Sequence, residues 1–246
     1  FMQKLRFTIQ SNTPVARDTF RMRLSCPEMD PCRSGQFVDI ALDGFFLRRP
    51  ISVCDCGPGS LTLLYKTVGS GTMMLSRMQP GNTLELLCGL GHGFTPESCR
   101  AKALLAGGGI GAAPLYLLAK ELLAAGRQVS VFLGFNRADE VLLREEFSTL
   151  GIRPHIATMD GSEGTKGFVT DAIREAKPEY DFFYTCGPMK MMQAVCGTLD
   201  CRGEASLEER MGCGAGFCYG CSCHTMVGAK RICKDGPVFK KEDIIW

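Results

Sequence analysis

The chain is poor in several things that would direct a first reading. It has one tryptophan, three histidines and a formal net charge of only +2 in 246 residues. So even a balance points away from a nucleic-acid footprint and from an acidic tail. No apolar run is long enough to span a bilayer; the longest, around Leu115–Leu123, is broken by Lys120 and Glu121. No charged stretch followed by an apolar core opens the sequence as a secretory leader would, and Phe1 ahead of Met2 reads as a cloning remnant. The histidines have no metal-ligand spacing to one another, and His92, in Gly-Leu-Gly-His-Gly-Phe94, reads as part of a loop beside a ligand. No His–carboxylate pair suggests acid–base catalysis, so no catalytic residue is assigned. The expectation is a soluble, cytoplasmic protein of two or three modest domains.

Cysteine, by contrast, is plentiful, with fourteen in the chain. A disulfide-rich secreted scaffold would be far shorter. Residues such as Cys54, Cys56, Cys88 and Cys186 sit in apolar or strand-like stretches, where a free thiol behaves as a small hydrophobe. Four others follow a pattern. Cys213, Cys218, Cys221 and Cys233 are spaced Cys-x4-Cys-x2-Cys-x11-Cys in a loop that also holds Gly212, Gly214, Gly216 and Gly220. That spacing matches the ligand set of a plant-type [2Fe–2S] cluster. Glycines there allow positive φ and let backbone N–H groups approach the sulfurs. Four thiolates also make a structural zinc site, but zinc sites usually pair two short Cys-x-x-Cys knuckles, and the spacing favours iron–sulfur. Cys223 is an additional thiol that reads as a bystander or an alternative ligand.

Three units follow one another. Residues 1–100 read as a β-barrel or sandwich: Leu5–Gln10, Thr19–Leu24, Phe37–Ala41, Ser60–Lys66 and Thr83–Leu87 alternate apolar and polar between Pro and Gly turns. Residues 101–203 read as a doubly wound parallel α/β domain. Its expected strands are Lys102–Ala106, Val129–Phe135, Arg153–Ala157 and Tyr180–Cys186; its helices run to about Ala125 and over Glu140–Leu150, Val169–Ala176 and Met189–Thr198. Residues 204–246 are Gly- and Cys-rich with little periodicity, a small cluster-bearing tail.

Several segments carry chemistry. Gly107–Gly111 stands between a strand and a helix, where N–H groups can hold a pyrophosphate, although the run is not a full Gly-x-Gly-x-x-Gly. No acidic residue closes the second strand to hold a ribose; Asn136 and Arg137 stand there. Cys186-Gly-Pro-Met189 ends the last strand at the same edge. In the first unit, Arg48-Arg-Pro-Ile-Ser52 offers donor forks suited to phosphate and a hydroxyl, and Gly69-Ser-Gly-Thr72 opens a helical segment as a second anion cradle. Each segment alone reads equally as a structural turn.

Taken in order, Arg49-Pro-Ile-Ser52, Gly69-x-Gly-Thr72, Gly108-Gly-Ile-Gly-Ala-Ala-Pro114 and Cys186-Gly-Pro188 resemble the ferredoxin–NADP+ reductase superfamily. Glu209 to Cys221 and Ile232 to Phe239 look like the electron-transfer subunits of class B dihydroorotate dehydrogenases. The resemblance covers essentially the whole chain, and departs where Ile51 replaces an aromatic. It implies FAD at Arg49, Pro50, Ile51, Ser52, Tyr65, Lys66, Gly69, Gly71 and Thr72, and NAD at Gly109, Gly111, Cys186 and Gly187. It implies a cluster at the four cysteines. It also implies an FMN-containing catalytic subunit, two of each kind forming a heterotetramer, with electrons passing from dihydroorotate through FMN, the cluster and FAD to NAD+. Exposed-looking Phe217 and Tyr219 would lie near that partner. Independently, a cluster that takes one electron and a nicotinamide that exchanges two require a flavin between them. Two alternatives are a reductase subunit of a hydrogenase, sulfite reductase or bifurcating complex, and a zinc-stapled adaptor without redox activity. NADP is not separated from NAD, since Arg137 could meet a 2′-phosphate.

Overall fold

The computed structural model describes residues 2–246, so Phe1 lies outside the described residues. The first part is a closed antiparallel barrel. Its strands are β1 (Gln3–Ala16), β2 (Thr19–Ser25), β3 (Phe37–Ile40), β4 (Arg49–Gly57), β5 (Ser60–Lys66) and, after the short helix α1 (Ser70–Ser76), β6 (Thr83–Leu90), in the order β1-β2-β5-β4-β3-β6. β6 shows why: every second residue, Leu84, Leu86, Cys88 and Leu90, is buried. β1 runs well past the expected Leu5–Gln10 because bulges between Ile9 and Ser11 and between Pro14 and Ala16 absorb its irregularity.

The second part is built from β7 (Lys102–Gly108), α2 (Ala113–Ala124), β8 (Gln128–Phe135), α3 (Arg144–Thr149), β9 (His155–Thr158), β10 (Thr165–Lys166), α4 (Val169–Ala176), β11 (Phe182–Cys186), α5 (Met189–Thr198) and β12 (Gly203–Ser206). β7 is buried from Ala103 to Gly108, as a parallel strand covered on both faces must be. The Asp181 carboxylate accepts the N–H groups of Arg100, Ala101 and Lys102 at 2.8–2.9 Å, which ties the approach to β11 to the start of β7. The helix expected over Glu140–Leu150 is shorter, because Leu143 adopts a left-handed conformation (φ +62°) that lets both Leu142 and Leu143 reach the core, and only Arg144–Thr149 is α-helical.

The tail contributes β13 (Ser222–Thr225), β14 (Gly228–Arg231), α6 (Ile232–Asp235) and β15 (Val238–Lys240). It is less separate than its composition suggests. The large sheet runs β10-β9-β8-β7-β11-β12-β15, and β15 pairs antiparallel with β12, so the tail supplies one edge of an otherwise parallel sheet. A limit at 203/204 falls inside β12.

Barrel and α/β part meet along α2. Leu117 packs in the barrel core, Lys120 Nζ lies 2.6 Å from Asp55, and Glu121 accepts the Ser34 N–H at 3.0 Å; α3 adds one contact, where Arg21 pairs with Glu146. Among the described residues no helix is long and apolar enough to cross a membrane.

Candidate functional site

A cavity of about 380 Å³ opens where all three parts meet. The barrel lines it with Phe37, Arg49–Ser52, Tyr65, Lys66 and Thr72; the α/β part with Ile110, Gly111 and Cys186; the tail approach with Ser206–Glu209, Met211 and Pro237. Its size is in the range of small-molecule sites. Antiparallel pairing of β3 with β4 sets Phe37 opposite Ser52 and brings both to its wall. Arg49 crosses the first turn of α1: a Cβ on Gly71 would stand 2.2 Å from its Nε, so glycine there makes room for the guanidinium. A cation laid over the N-terminal turn of a helix suits a phosphate. Thr72 differs from expectation. Its hydroxyl accepts the N–H groups of Val68 and Gly69 at 3.0 and 3.2 Å, so it shapes the loop instead of being free for a ligand. Gly69 is extended (φ −164°) and serves as the N-cap. Tyr65 is buried, with its hydroxyl donating to Asn12 Oδ1 at 2.8 Å, so only its ring can meet a ligand.

A second cavity, about 470 Å³, lies at the carboxyl ends of the parallel strands. β8 and β11 flank β7 on opposite sides, so the strand order reverses there, and open α/β sheets bind ligands at such a switch point. Gly108, Gly109, Asn136, Thr170, Pro188 and Lys190 are among its walls. Gly109 has φ +52° and open space above it, whereas Gly111 is wedged against β11: its Cβ would stand 2.5 Å from the Cys186 carbonyl oxygen. Gly187 (φ +148°) closes on the Gly108 backbone in the same way. The expected nucleotide residues therefore divide. Gly109 faces this crevice, Gly111 and Cys186 face the central cavity, and Gly187 packs between the strand ends. Arg137 is engaged by Asp139 at 3.6 Å and Asp160 at 3.9 Å.

The cysteine loop, from Gly212 to Cys221, covers the outer face of β3. Gly214, Gly216 and Tyr219 have positive φ (+63°, +86° and +57°). Gly212 and Gly220 do not; they matter by proximity, since a Cβ on either would lie 3.2 or 3.5 Å from Cys218 Sγ. The thiols stand in two pairs. The N–H of Cys218 points at Cys213 Sγ (3.4 Å) and that of Cys233 at Cys221 Sγ (3.4 Å). Burial works against a thiolate at Cys213, but N–H donors from Cys218, Ala215 and Phe217 outweigh it and lower its pKa to about 6. Burial and the neighbouring Cys221 push Cys233 up to about 12. Among the described residues no three His, Cys, Asp or Glu side chains converge as one metal ion requires. Two pairs suit a cluster with two irons, each taking two thiolates, better than tetrahedral zinc. Cys223 lies on β13, opposite Lys230. Arg231 clamps the loop: it pairs with Asp235 at 3.1 Å, donates to the Gly216 carbonyl at 3.0 Å and lies 4.8 Å over the Tyr219 ring.

Comparison with known proteins places the chain in a family. Residues 208–245 match the family described as the iron–sulfur cluster binding domain of dihydroorotate dehydrogenase B, and residues 105–197 match the oxidoreductase NAD-binding domain. A protein of Fusobacterium nucleatum subsp. nucleatum, named "Dihydroorotate dehydrogenase B (NAD(+)), electron transfer subunit", is 40% identical, with 96% of each chain covered. One of the same name from Bacillus caldolyticus is 42% identical, with 98% of each covered. The chain belongs to this family of electron-transfer subunits. A solved NADH-dependent reduced ferredoxin-NADP oxidoreductase has TM-score 0.89 at 32% identity, covering 98% of this chain and 90% of that one. A ferredoxin NADP+ reductase from Neisseria gonorrhoeae, solved with FAD and NADP, shares the fold (TM-score 0.69, 19% identity, 79% and 89% covered). Within the family's frame, sequence reasoning missed Phe37, Ser206–Glu209, Met211 and Pro237 as cavity walls. Glu208 stands at the cavity mouth, with a carboxyl whose pKa is raised by desolvation. His92 was expected beside a ligand, yet it faces the tail: its Nδ1 lies 2.7 Å from the Lys234 carbonyl and its N–H donates to Gly236 O at 2.6 Å.

Proposed function

We propose that this chain carries electrons from the catalytic subunit of dihydroorotate dehydrogenase B to NAD+, with FAD in the central cavity, the nicotinamide nucleotide in the crevice beside β7, and a [2Fe–2S] cluster on Cys213, Cys218, Cys221 and Cys233. The observation that carries this reading is the central cavity itself. Its walls come from the barrel motif, the end of β11 and the tail at once, so one occupant touches both the nucleotide side and the cluster side. When bound, a flavin supplies the conversion between two-electron hydride transfer and one-electron transfer.

The chain's own residues position and exclude. Arg49, reaching across α1 above Gly71, binds the flavin's phosphate, and Ser52, Pro50 and Ile51 border its ring. Tyr65 and Lys66 support it from β5, and Gly69 and Thr72 shape the cradle. Gly109 leaves room for the nucleotide's pyrophosphate beside Lys190, while Gly111, Cys186 and Gly187 form the partition at which the two cavities meet. Phe37 lines the central cavity and packs in the same apolar cluster as Cys221 and Cys233, which keeps water from the space between them. Asp139 and Asp160 hold Arg137 and set negative charge around it, which favours NAD over its 2′-phosphorylated form. The division into flavin, nucleotide and cluster units at 1–100, 101–203 and 204–246 belongs to this reading.

The partner is an FMN-containing catalytic subunit in a complex of two copies of each chain, working in the cytoplasm, where the free thiols stay reduced. Exposed Phe217 and Tyr219 beside the cysteines suit its docking face. Purified chain should be yellow-brown, contain iron and labile sulfide, and bleach on anaerobic addition of NADH. A colourless protein with stoichiometric zinc would sink the reading.

A further inference from the structure

Strand β3 reads Phe-Val-Asp-Ile. Alternation turns Val38 and Ile40 into the barrel core and Phe37 and Asp39 to the outer face. The outer face is covered by the tail, so Phe37 packs with Cys221 and Cys233, and Asp39 is only 2% exposed. Buried carboxylates are almost always paired. Here Oδ1 has no hydrogen-bond partner among the described residues. The adjacent guanidinium groups are engaged elsewhere. Arg48 holds Glu85 at 2.6 Å and donates to Asp39's own carbonyl oxygen at 3.3 Å; Arg49 bonds the Leu47 carbonyl and lies 4.7 Å over the Phe45 ring. The other carboxylate oxygen faces the cysteine loop. A Cβ on Gly214 would stand 2.4 Å from Oδ2, so a glycine with φ +63° is what lets the residue after Cys213 close onto the carboxylate.

We propose that Asp39 is an electrostatic positioning residue for the iron–sulfur cluster: a fixed negative charge, seated behind the loop at Gly214, that lowers the cluster's reduction potential. This rests on the cysteine loop being the cluster site. An electron added to the cluster raises its negative charge, and a nearby anion screened from water opposes that addition more strongly than it would in solvent. Burial pushes the carboxyl up to about 6, against the pull of Arg48 and Arg49, so at pH 8 it is ionised. Arg231, which holds the loop through the Gly216 carbonyl, brings charge of the opposite sign. The carboxylate therefore sets the potential from the barrel side, where the flavin cavity lies.

The test is a reductive titration of the FAD- and cluster-loaded chain at pH 8, followed by the cluster's electron paramagnetic resonance signal, for the wild type, Asp39→Asn and Asp39→Glu. The expected result is a positive shift of the cluster potential in Asp39→Asn and a wild-type potential in Asp39→Glu. An unchanged potential in Asp39→Asn, or equal shifts in both variants, overturns the inference while leaving the cluster reading intact. If Asp39→Asn and Asp39→Ser both fail to hold a cluster, the carboxylate holds the loop instead of tuning it, and the inference is again overturned. A wild-type chain that assembles no cluster overturns the reading of the cysteine loop itself.

Discussion

Replacing Gly111 by alanine tests whether the partition between the two cavities is as tight as the structure makes it. The added methyl would lie 2.5 Å from the Cys186 carbonyl oxygen and 2.6 Å from the Gly187 Cα. Ordinary contact begins near 3.4 Å, so the turn that leads into α2 and the end of β11 must part by about 0.9 Å. Both obstacles are backbone, one at the last residue of the buried strand β11 and one at the residue that follows it, so no rotamer change relieves the clash. Overpacking of this kind costs about 1–3 kcal/mol, which for a chain of this size lowers Tm by about 2–12 °C. Gly197→Ala in α5 is the control: its Cβ meets nothing within 4 Å, and alanine in a helix interior is favoured by about 0.5–1 kcal/mol. Thermal melts should therefore move in opposite directions. Because Gly111 lines the central cavity, anaerobic stopped-flow should also show slower NADH bleaching in Gly111→Ala and an unchanged rate in Gly197→Ala. A Gly111→Ala protein that melts with the wild type and bleaches at the wild-type rate would refute the packing argument.

Other outcomes follow from the same geometry. Arg231→Ala removes the clamp on Gly216, Tyr219 and Asp235 together, so the visible absorbance of the cluster should decay several-fold faster in air, with Tm lowered by less than Gly111→Ala lowers it. Asp139→Ala with Asp160→Ala frees Arg137, and the ratio of kcat/KM for NADPH to that for NADH should rise by about tenfold, worth about 1.4 kcal/mol. Asp181 bears on acid stability. Burial opposes its charge, yet three backbone N–H donors more than compensate and hold its pKa below the ordinary carboxylate value of 3.8. A depressed folded pKa means stability present above the unfolded value and lost as pH falls through the folded one. Because Asp181 is exposed and screened by solvent, Asp181→Asn should be less stable than wild type by only about 0.2–1 kcal/mol at pH 7, and the difference should shrink below about pH 4 in urea melts.

Different features of the chain were legible for different physical reasons. β6 and α4 declare themselves by period, and the turns before α1 and α2 by glycine, so the barrel and the doubly wound sheet follow from local pattern. Arg49, Ser52 and the cysteine spacing are readable because each motif is contiguous. β12 and β15 are not, because Gly203–Ser206 and Val238–Lys240 have too few residues to show a period and become strands only by pairing with each other and with β11. Asp39 misleads in another way: its alternation is that of a half-exposed strand, and only the cysteine loop, more than 170 residues later in the sequence, buries it. The part of the central cavity's wall that the tail completes was likewise invisible, since Phe37, Glu208 and Pro237 meet only once the tail folds back. Leu143 shows the converse error, in which a helical period is overridden by two leucines that both reach the core.

The central claim is that electrons cross this chain by way of the four cysteines. The most direct measurement is made on the complex reconstituted with the catalytic subunit, comparing wild type and Cys218→Ser for orotate formation with NAD+ and with an artificial acceptor serving the catalytic subunit alone. Cys218→Ser should lose NAD+-linked formation while the artificial-acceptor rate persists. NAD+-linked orotate formation at the wild-type rate in that variant would contradict the claim.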